Sequence, residues 1–71
     1  MRIHYDPQAD AAYIRLAETD VADSDEVTPG IVLDFDADGH VIGIEILDAA
    51  QFGRNIRDIH FEVLTGEHER R

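Results

Sequence analysis

Polar and apolar residues alternate with a period of two through much of the first two thirds of the chain, and that period marks a half-buried strand. Arg2-Ile3-His4-Tyr5 alternates in this way. Asp6-Pro7-Gln8-Ala9-Asp10 then reads as a turn, because Asp favours the first turn position and Pro presets φ at the second. Residues 11–17 alternate again, with Ala12, Ile14 and Leu16 on one face and Tyr13 and Arg15 on the other. Together these two runs predict a hairpin. Residues 18–27 are mostly acidic, with Val21 and Val27 as the larger apolar residues, and fit either a loop or an edge strand made polar against self-pairing. Thr28-Pro29-Gly30 is a break.

The clearest pattern follows it. Ile31-Val32-Leu33-Asp34-Phe35 and Val41-Ile42-Gly43-Ile44-Glu45-Ile46 flank Asp36-Ala37-Asp38-Gly39-His40. Asp-Gly between β-branched runs is a strong hairpin signal. With either two or four loop residues, Phe35 opposes Ile42, Leu33 opposes Ile44 and Ile31 opposes Ile46. All six apolar side chains then share a face, whereas a one-residue slip would separate the two halves. Val32, Asp34, Asp36, Val41, Gly43 and Glu45 fall on the other face. The six, with Ile14 and Leu16 beside them, are the expected core, and Leu33→Ala is expected to cost about 2–5 kcal/mol.

After this hairpin, Asp48 is a candidate cap for a short helix, Gln51 sits where it could close a capping box, and Gly53 would stop the helix. Leu47 and Phe52 occupy hydrophobic-staple positions around it. Residues 59–64 fit a strand or a helical stripe, and their β-branched and aromatic content favours strand. The expected fold class is therefore α+β, a small and mainly antiparallel sheet of two hairpins with a short capping helix near residues 49–53. Residues 1–71 form one domain.

Composition narrows the function. The chain has 71 residues, 16 acids against 6 Arg with no Lys, and a formal charge of -10. Phosphate would be repelled by such a surface, so no nucleic-acid partner is expected. No apolar run approaches a membrane span and the N-terminus has no signal-peptide pattern, so a cytoplasmic protein without a membrane partner is expected. Without Cys there are no disulfides and no thiol chemistry. A domain this small buries only about 60 % of its unfolded surface, which makes a homodimer or a partner chain a reasonable expectation.

Asp34-x-Asp36-x-Asp38-Gly39-x5-Glu45 matches the string of an EF-hand calcium loop. Its context is wrong, because an EF-hand needs flanking helices and these residues sit between strands. In a hairpin, Glu45 lies about 20 Å from the tip at about 3.4 Å per residue. An acidic turn is expected, and weak cation binding by Asp34, Asp36 and Asp38 is the alternative. The four histidines show no ligand spacing, and Ser24, the only serine, lies in no nucleophile motif. No cofactor and no enzymatic activity are expected. An acid–base site would need a concave pocket holding Asp6, Asp10 and Glu45 with raised carboxyl pKa values.

Tyr5-Asp6-Pro7-x-x-Asp10-Ala11-x-Tyr13-Ile14-x-Leu16, followed by Asp34-x-Asp36-x-x-Gly39-x-x-x-Gly43-Ile44-Glu45-Ile46-Leu47-Asp48-Ala49, resembles the YuzE-like family of small prokaryotic proteins, a family of unknown function. The resemblance covers residues 3–50 and departs at Ala50, where relatives often have Ser. It implies a small antiparallel sheet with little helix and no established enzymatic activity. Some relatives are similar to antitoxin-like partners of small toxin-like proteins. The resulting expectation is a non-enzymatic acidic protein-interaction module, antitoxin-like, that meets a basic partner through Asp34, Asp36 and Glu45.

Overall fold

The computed structural model describes residues 1–52 and 57–65. Five strands form one antiparallel sheet: β1 (Arg2–Asp6), β2 (Ala11–Arg15), β3 (Asp23–Thr28), β4 (Ile31–Phe35) and β5 (Val41–Ile46), in the order β1-β2-β5-β4-β3. One 3-10 turn at Ala49–Gln51 is the only helical element among the described residues. The fold is thus mainly β, not α+β. The acidic stretch that fitted a loop or an edge strand forms edge strand β3, with a bulge between Glu26 and Thr28. It joins β4 through Pro29 and Gly30, and Gly30 has the positive φ of 88° that a Pro-Gly type II turn requires. Residues 59–64 belong to no strand or helix. Gly53 lies outside the described residues.

The two expected hairpins form and are joined side by side by β2 and β5. The β4–β5 register pairs Ile31 with Ile46 and Leu33 with Ile44, as the face argument required. The tip is solved differently. Asp36 and His40 close the loop, Gly39 N–H donates to the Asp36 carbonyl, and Gly39 sits at φ 85°. This is a three-residue loop of the type I plus left-handed-glycine kind. An odd loop alone would invert one strand's faces. A bulge next to Phe35 restores them: Phe35 pairs with Val41, Asp34 pairs with Gly43, and Ile42 is the extra residue. Phe35 therefore does not oppose Ile42, and two odd steps give the parity that an even loop would have given.

Strand pairing sorts the residues into two faces. Ile3, Tyr5, Ala12, Ile14, Ile31, Leu33, Ile44 and Ile46 share one; Arg2, His4, Asp6, Tyr13, Arg15, Asp34, Gly43 and Glu45 share the other. The apolar face is not a closed core. Only Ala12, Ile42 and Ala49 are buried apolar residues among those described, and Ile42, at 2 % exposure, is the one fully buried large side chain. Of the expected core, Ile14, Ile31, Leu33, Phe35, Ile44 and Ile46 are half-buried and Leu16 is exposed. Over the β1–β2–β5 end, Ile59 lines a gap of about 160 Å³ together with Ile3, Tyr5, Ala12, Ile14 and Ile46. The Arg57 guanidinium carbon lies 6.0 Å from the Tyr5 ring centre. Past Ile59, Phe61, Val63 and Leu64 are strongly exposed.

Candidate functional site

The densest chemistry is on the polar face, where register puts four side chains in reach of one another. Asp34 sits opposite both Gly43 and Ser24, and Arg15 sits opposite Gly43 on the other flank. Having no side chain, Gly43 leaves a gap, and Tyr13 leans diagonally into it. A Cβ at Gly43 would collide with the Tyr13 hydroxyl and lie 2.8 Å from Cζ. That lean carries the hydroxyl to Asp34, where it donates to Oδ2 at 3.0 Å. Ser24 Oγ donates to Oδ1 at 2.6 Å. Arg15 Nη1 donates to the Tyr13 hydroxyl at 3.2 Å, while its Nε and Nη2 donate to the carbonyls of Ala17 and Thr19. The result is a relay Arg15–Tyr13–Asp34–Ser24 across four strands. Asp34, at 3 % exposure, is the only buried charged residue among those described.

Glu45 adjoins this relay. Burial first, then its hydrogen bond to Asp34 and the negative charge there, push its carboxyl above the usual glutamate range. Glu45 thus keeps its proton to a higher pH than an exposed glutamate does. Arg15 holds its proton more firmly than usual, chiefly through the Tyr13 bond. Asp34 and Glu45 are the first and last positions of the calcium-loop string, and the sheet brings them together through neighbouring strands. Asp36 and Asp38 remain at the hairpin tip.

A second cluster fastens the chain after β5. Asp10 has a left-handed backbone at φ 51°. Its Oδ1 accepts from the Tyr5 hydroxyl at 2.8 Å, its Oδ2 from Ala50 N–H at 3.1 Å, and its carbonyl from Ala49 N–H at 2.8 Å. The bond to Asp10 is the main reason that the Tyr5 hydroxyl titrates above its ordinary value. Asp10, 38 residues earlier than the expected cap, is what satisfies the start of the 3-10 turn. Asp48 is itself left-handed and makes no side-chain cap bond there, so the expected capping role of Asp48 is corrected.

At the tip, carboxylate and imidazole atoms of Asp36, Asp38 and His40 lie within 4.8 Å of one another. Asp34 is not among them. Asp36 Oδ1 is already taken by the backbone N–H groups of Asp38 and His40, and these bonds with His40 in the lead hold its carboxyl below the usual range. Beside the relay, His4, Asp6, Tyr13, Glu45, Ala11, Ala12 and Leu47 line an open groove of about 310 Å³. It unites Asp6 and Glu45 but not Asp10. Ser24 does not line it, since β3 lies at the opposite edge of the sheet.

The residues singled out in the sequence for binding are therefore divided. Asp34 is buried and bonded, so it offers no free carboxylate to a partner or a cation. Asp36 is engaged in its own turn, and Glu45 is half-buried. Ser24, Arg15 and His4 were passed over as site residues in the sequence. The pairing of β3 with β4 brings Ser24 to this site, that of β2 with β5 brings Arg15, and that of β1 with β2 brings His4.

A family model described as "Protein of unknown function (DUF2283)" matches residues 2–49. The chain belongs to this family. The matched span includes all five described strands, the Asp34 relay and the Asp10 cluster up to Ala49, and the YuzE-like resemblance is consistent with it. Neither a curated protein nor a solved structure matches the chain. No helix among the described residues is long and apolar enough to cross a membrane.

Proposed function

We propose that this protein is a non-enzymatic protein-interaction module, antitoxin-like in role, that docks a small basic protein. The observation that carries this reading is the open apolar face. A five-stranded sheet normally buries such a face against a second layer. Here Ile31, Leu33, Phe35, Ile44 and Ile46 keep access to water, and Phe61, Val63 and Leu64 later in the chain stand exposed. A partner would remove that apolar surface from water.

Charge gives the sign of the partner. Residues 1–52 hold 12 acids and two arginines, and residues 53–71 hold four of each. The whole net charge of -10 thus belongs to the sheet and its turns. A basic partner relieves that self-repulsion and is steered toward it. This docking differs from the one expected from the sequence: apolar contact holds the partner, and exposed acids around the face attract it. Buried Asp34 has no part in it.

The cation-binding alternative at Asp34, Asp36 and Asp38 is not carried forward, because Asp34 is engaged by Ser24 and Tyr13. The polar-face groove favours a second reading, in which Glu45 and His4 serve a small polar ligand. Its openness to solvent and the lack of a free nucleophile on its walls make it the weaker of the two. Co-expression with the product of the neighbouring gene tests the main reading. A stable complex that loses affinity in Leu33→Asp supports it. Absence of a basic neighbour, and of any complex, overturns the antitoxin-like role.

A further inference from the structure

The two edges of the sheet are built differently. Edge β3 reads Asp23-Ser24-Asp25-Glu26-Val27-Thr28, with three acids, a bulge and Pro29 directly after it. Like charge and a bulge are the ordinary guards against edge-to-edge pairing. Edge β1 reads Arg2-Ile3-His4-Tyr5-Asp6, with Pro7 directly after it as Pro29 follows β3, but with charges of both signs and an unbroken register of five pairs to β2. It pairs only with β2, and no backbone hydrogen bond from another described segment reaches it.

The order of residues in β1 makes it self-complementary. An antiparallel pair of β1 strands centred on His4 sets Arg2 opposite Asp6 of the second copy, Ile3 opposite Tyr5, and His4 opposite itself. Both charged pairs are attractive, and both apolar pairs lie on the apolar face. The same operation on β3 sets Asp25 against Glu26 of the second copy at its centre and offers no attractive charged pair. Arg2 is available for the exchange: its present partner is Glu18 at 3.0 Å, and both side chains are more than half exposed. Such a surface pair holds little energy.

We propose that β1 is a homodimerisation edge, and that two copies join through antiparallel β1–β1 pairing about a two-fold axis at His4. The contact is isologous, as closed dimers require. The three acids of edge β3 do not oppose it. Edge β3 lies four strands away from the seam, about 19 Å at about 4.8 Å per strand, which is beyond the Debye length of about 8 Å at physiological salt. The product is a continuous ten-stranded sheet whose apolar face runs across both copies. It also brings the partner copy's arginine to Asp6 at the mouth of the polar groove. This inference goes beyond the basic-partner reading, since it concerns an edge and needs only the purified chain.

The test is sedimentation equilibrium of the wild type, Arg2→Glu, Asp6→Lys and an equal mixture of the two variants, with circular dichroism melts to check folding. In either variant alone, both charged pairs become repulsive, and dimer affinity is expected to fall at least tenfold. In the mixture both pairs are attractive again, and dimers should return. Asp6 Oδ1 also accepts from Gln8 and Ala9 N–H in its turn. If Asp6→Lys does not fold, Asp6→Asn replaces it, and mixing with Arg2→Glu should still restore affinity over Arg2→Glu alone. A wild type that stays monomeric to millimolar concentration overturns the proposal. So does a dimer indifferent to Arg2→Glu, or a mixture that restores nothing. None of these results bears on whether a basic protein covers the apolar face.

Discussion

The two faces of the sheet invert the usual relation between polarity and burial. On the polar face a carboxylate is 3 % exposed, clamped by Ser24 and Tyr13, with Arg15 and Glu45 joined to the same cluster. On the apolar face, leucine and isoleucine side chains remain half open to water. The difference shows where this small chain gets a unique structure. Apolar contacts are non-directional and tolerate an incomplete second layer. Buried polar contacts are directional and tolerate no missing member. Register is thus pinned by the polar face, while the apolar face is left with surface for another molecule.

That contrast predicts a ranking that an ordinary core would reverse. Asp34→Ala should have the largest effect, about 2–3 kcal/mol in urea unfolding, since it leaves two inward hydroxyls without their acceptor. Gly43→Ala comes next, at about 1–3 kcal/mol, because the new methyl group displaces the Tyr13 ring from its lean. Tyr13→Phe in the Gly43→Ala background should then add less than it does in the wild type, which a double-mutant cycle measures. Leu33→Ala in the isolated chain should cost only about 1–2 kcal/mol, less than the 2–5 kcal/mol of a closed core, because half-burial removes less area from water. Its larger effect should appear as weakened capture of the partner. If Leu33→Ala costs more than Asp34→Ala, the comparison between the faces fails.

The smallest effect is a pH dependence with opposite signs at two sites. Glu45 has a raised folded pKa. Its contribution is fully present below its unfolded value of about 4.3 and is lost as pH rises through the folded value. Glu45→Gln should therefore raise the urea midpoint at pH 7 and leave it little changed at pH 4. Asp36 has a lowered folded pKa. Its contribution is present above its unfolded value of about 3.9 and is lost as pH falls through the folded value. Asp36→Asn should remove that acid-side loss. Equal midpoint changes at both pH values in Glu45→Gln would separate Glu45 from Asp34.

Much of the sheet was legible in the sequence because period-two alternation is local. The first hairpin, the second hairpin, the face shared by Leu33 and Ile44, and the turn at Asp38-Gly39 all follow from residues close in the chain. The bulge at Ile42 was not legible. A two-residue loop and a three-residue loop with a compensating bulge give the same faces, so alternation cannot separate them. Residues 59–64 carried strand composition, but a strand also needs a neighbour that pairs with it, and no described segment does. The cap on the 3-10 turn was misread for a similar reason: sequence rules look for the cap next to the helix, and Asp10 reaches it from 38 residues earlier.

The candidate site was legible only as residue types. Asp34, Tyr13, Gly43 and Glu45 all stand in the resemblance blocks, yet nothing local says that Tyr13 crosses Gly43 to meet Asp34. By itself the sequence determined a small acidic antiparallel sheet with its apolar residues on one face, because those properties depend on counts and on a period of two. Tertiary structure decided what each charge is for. Strand order brought Ser24, Asp34, Gly43 and Arg15 into one row, which turned an expected binding carboxylate into an internal clamp. The same order left β1, among the described residues, as an edge paired with β2 alone, and left much of the apolar face half open to water. Those outcomes depend on pairings between distant segments, and pairing is a property of the whole sheet.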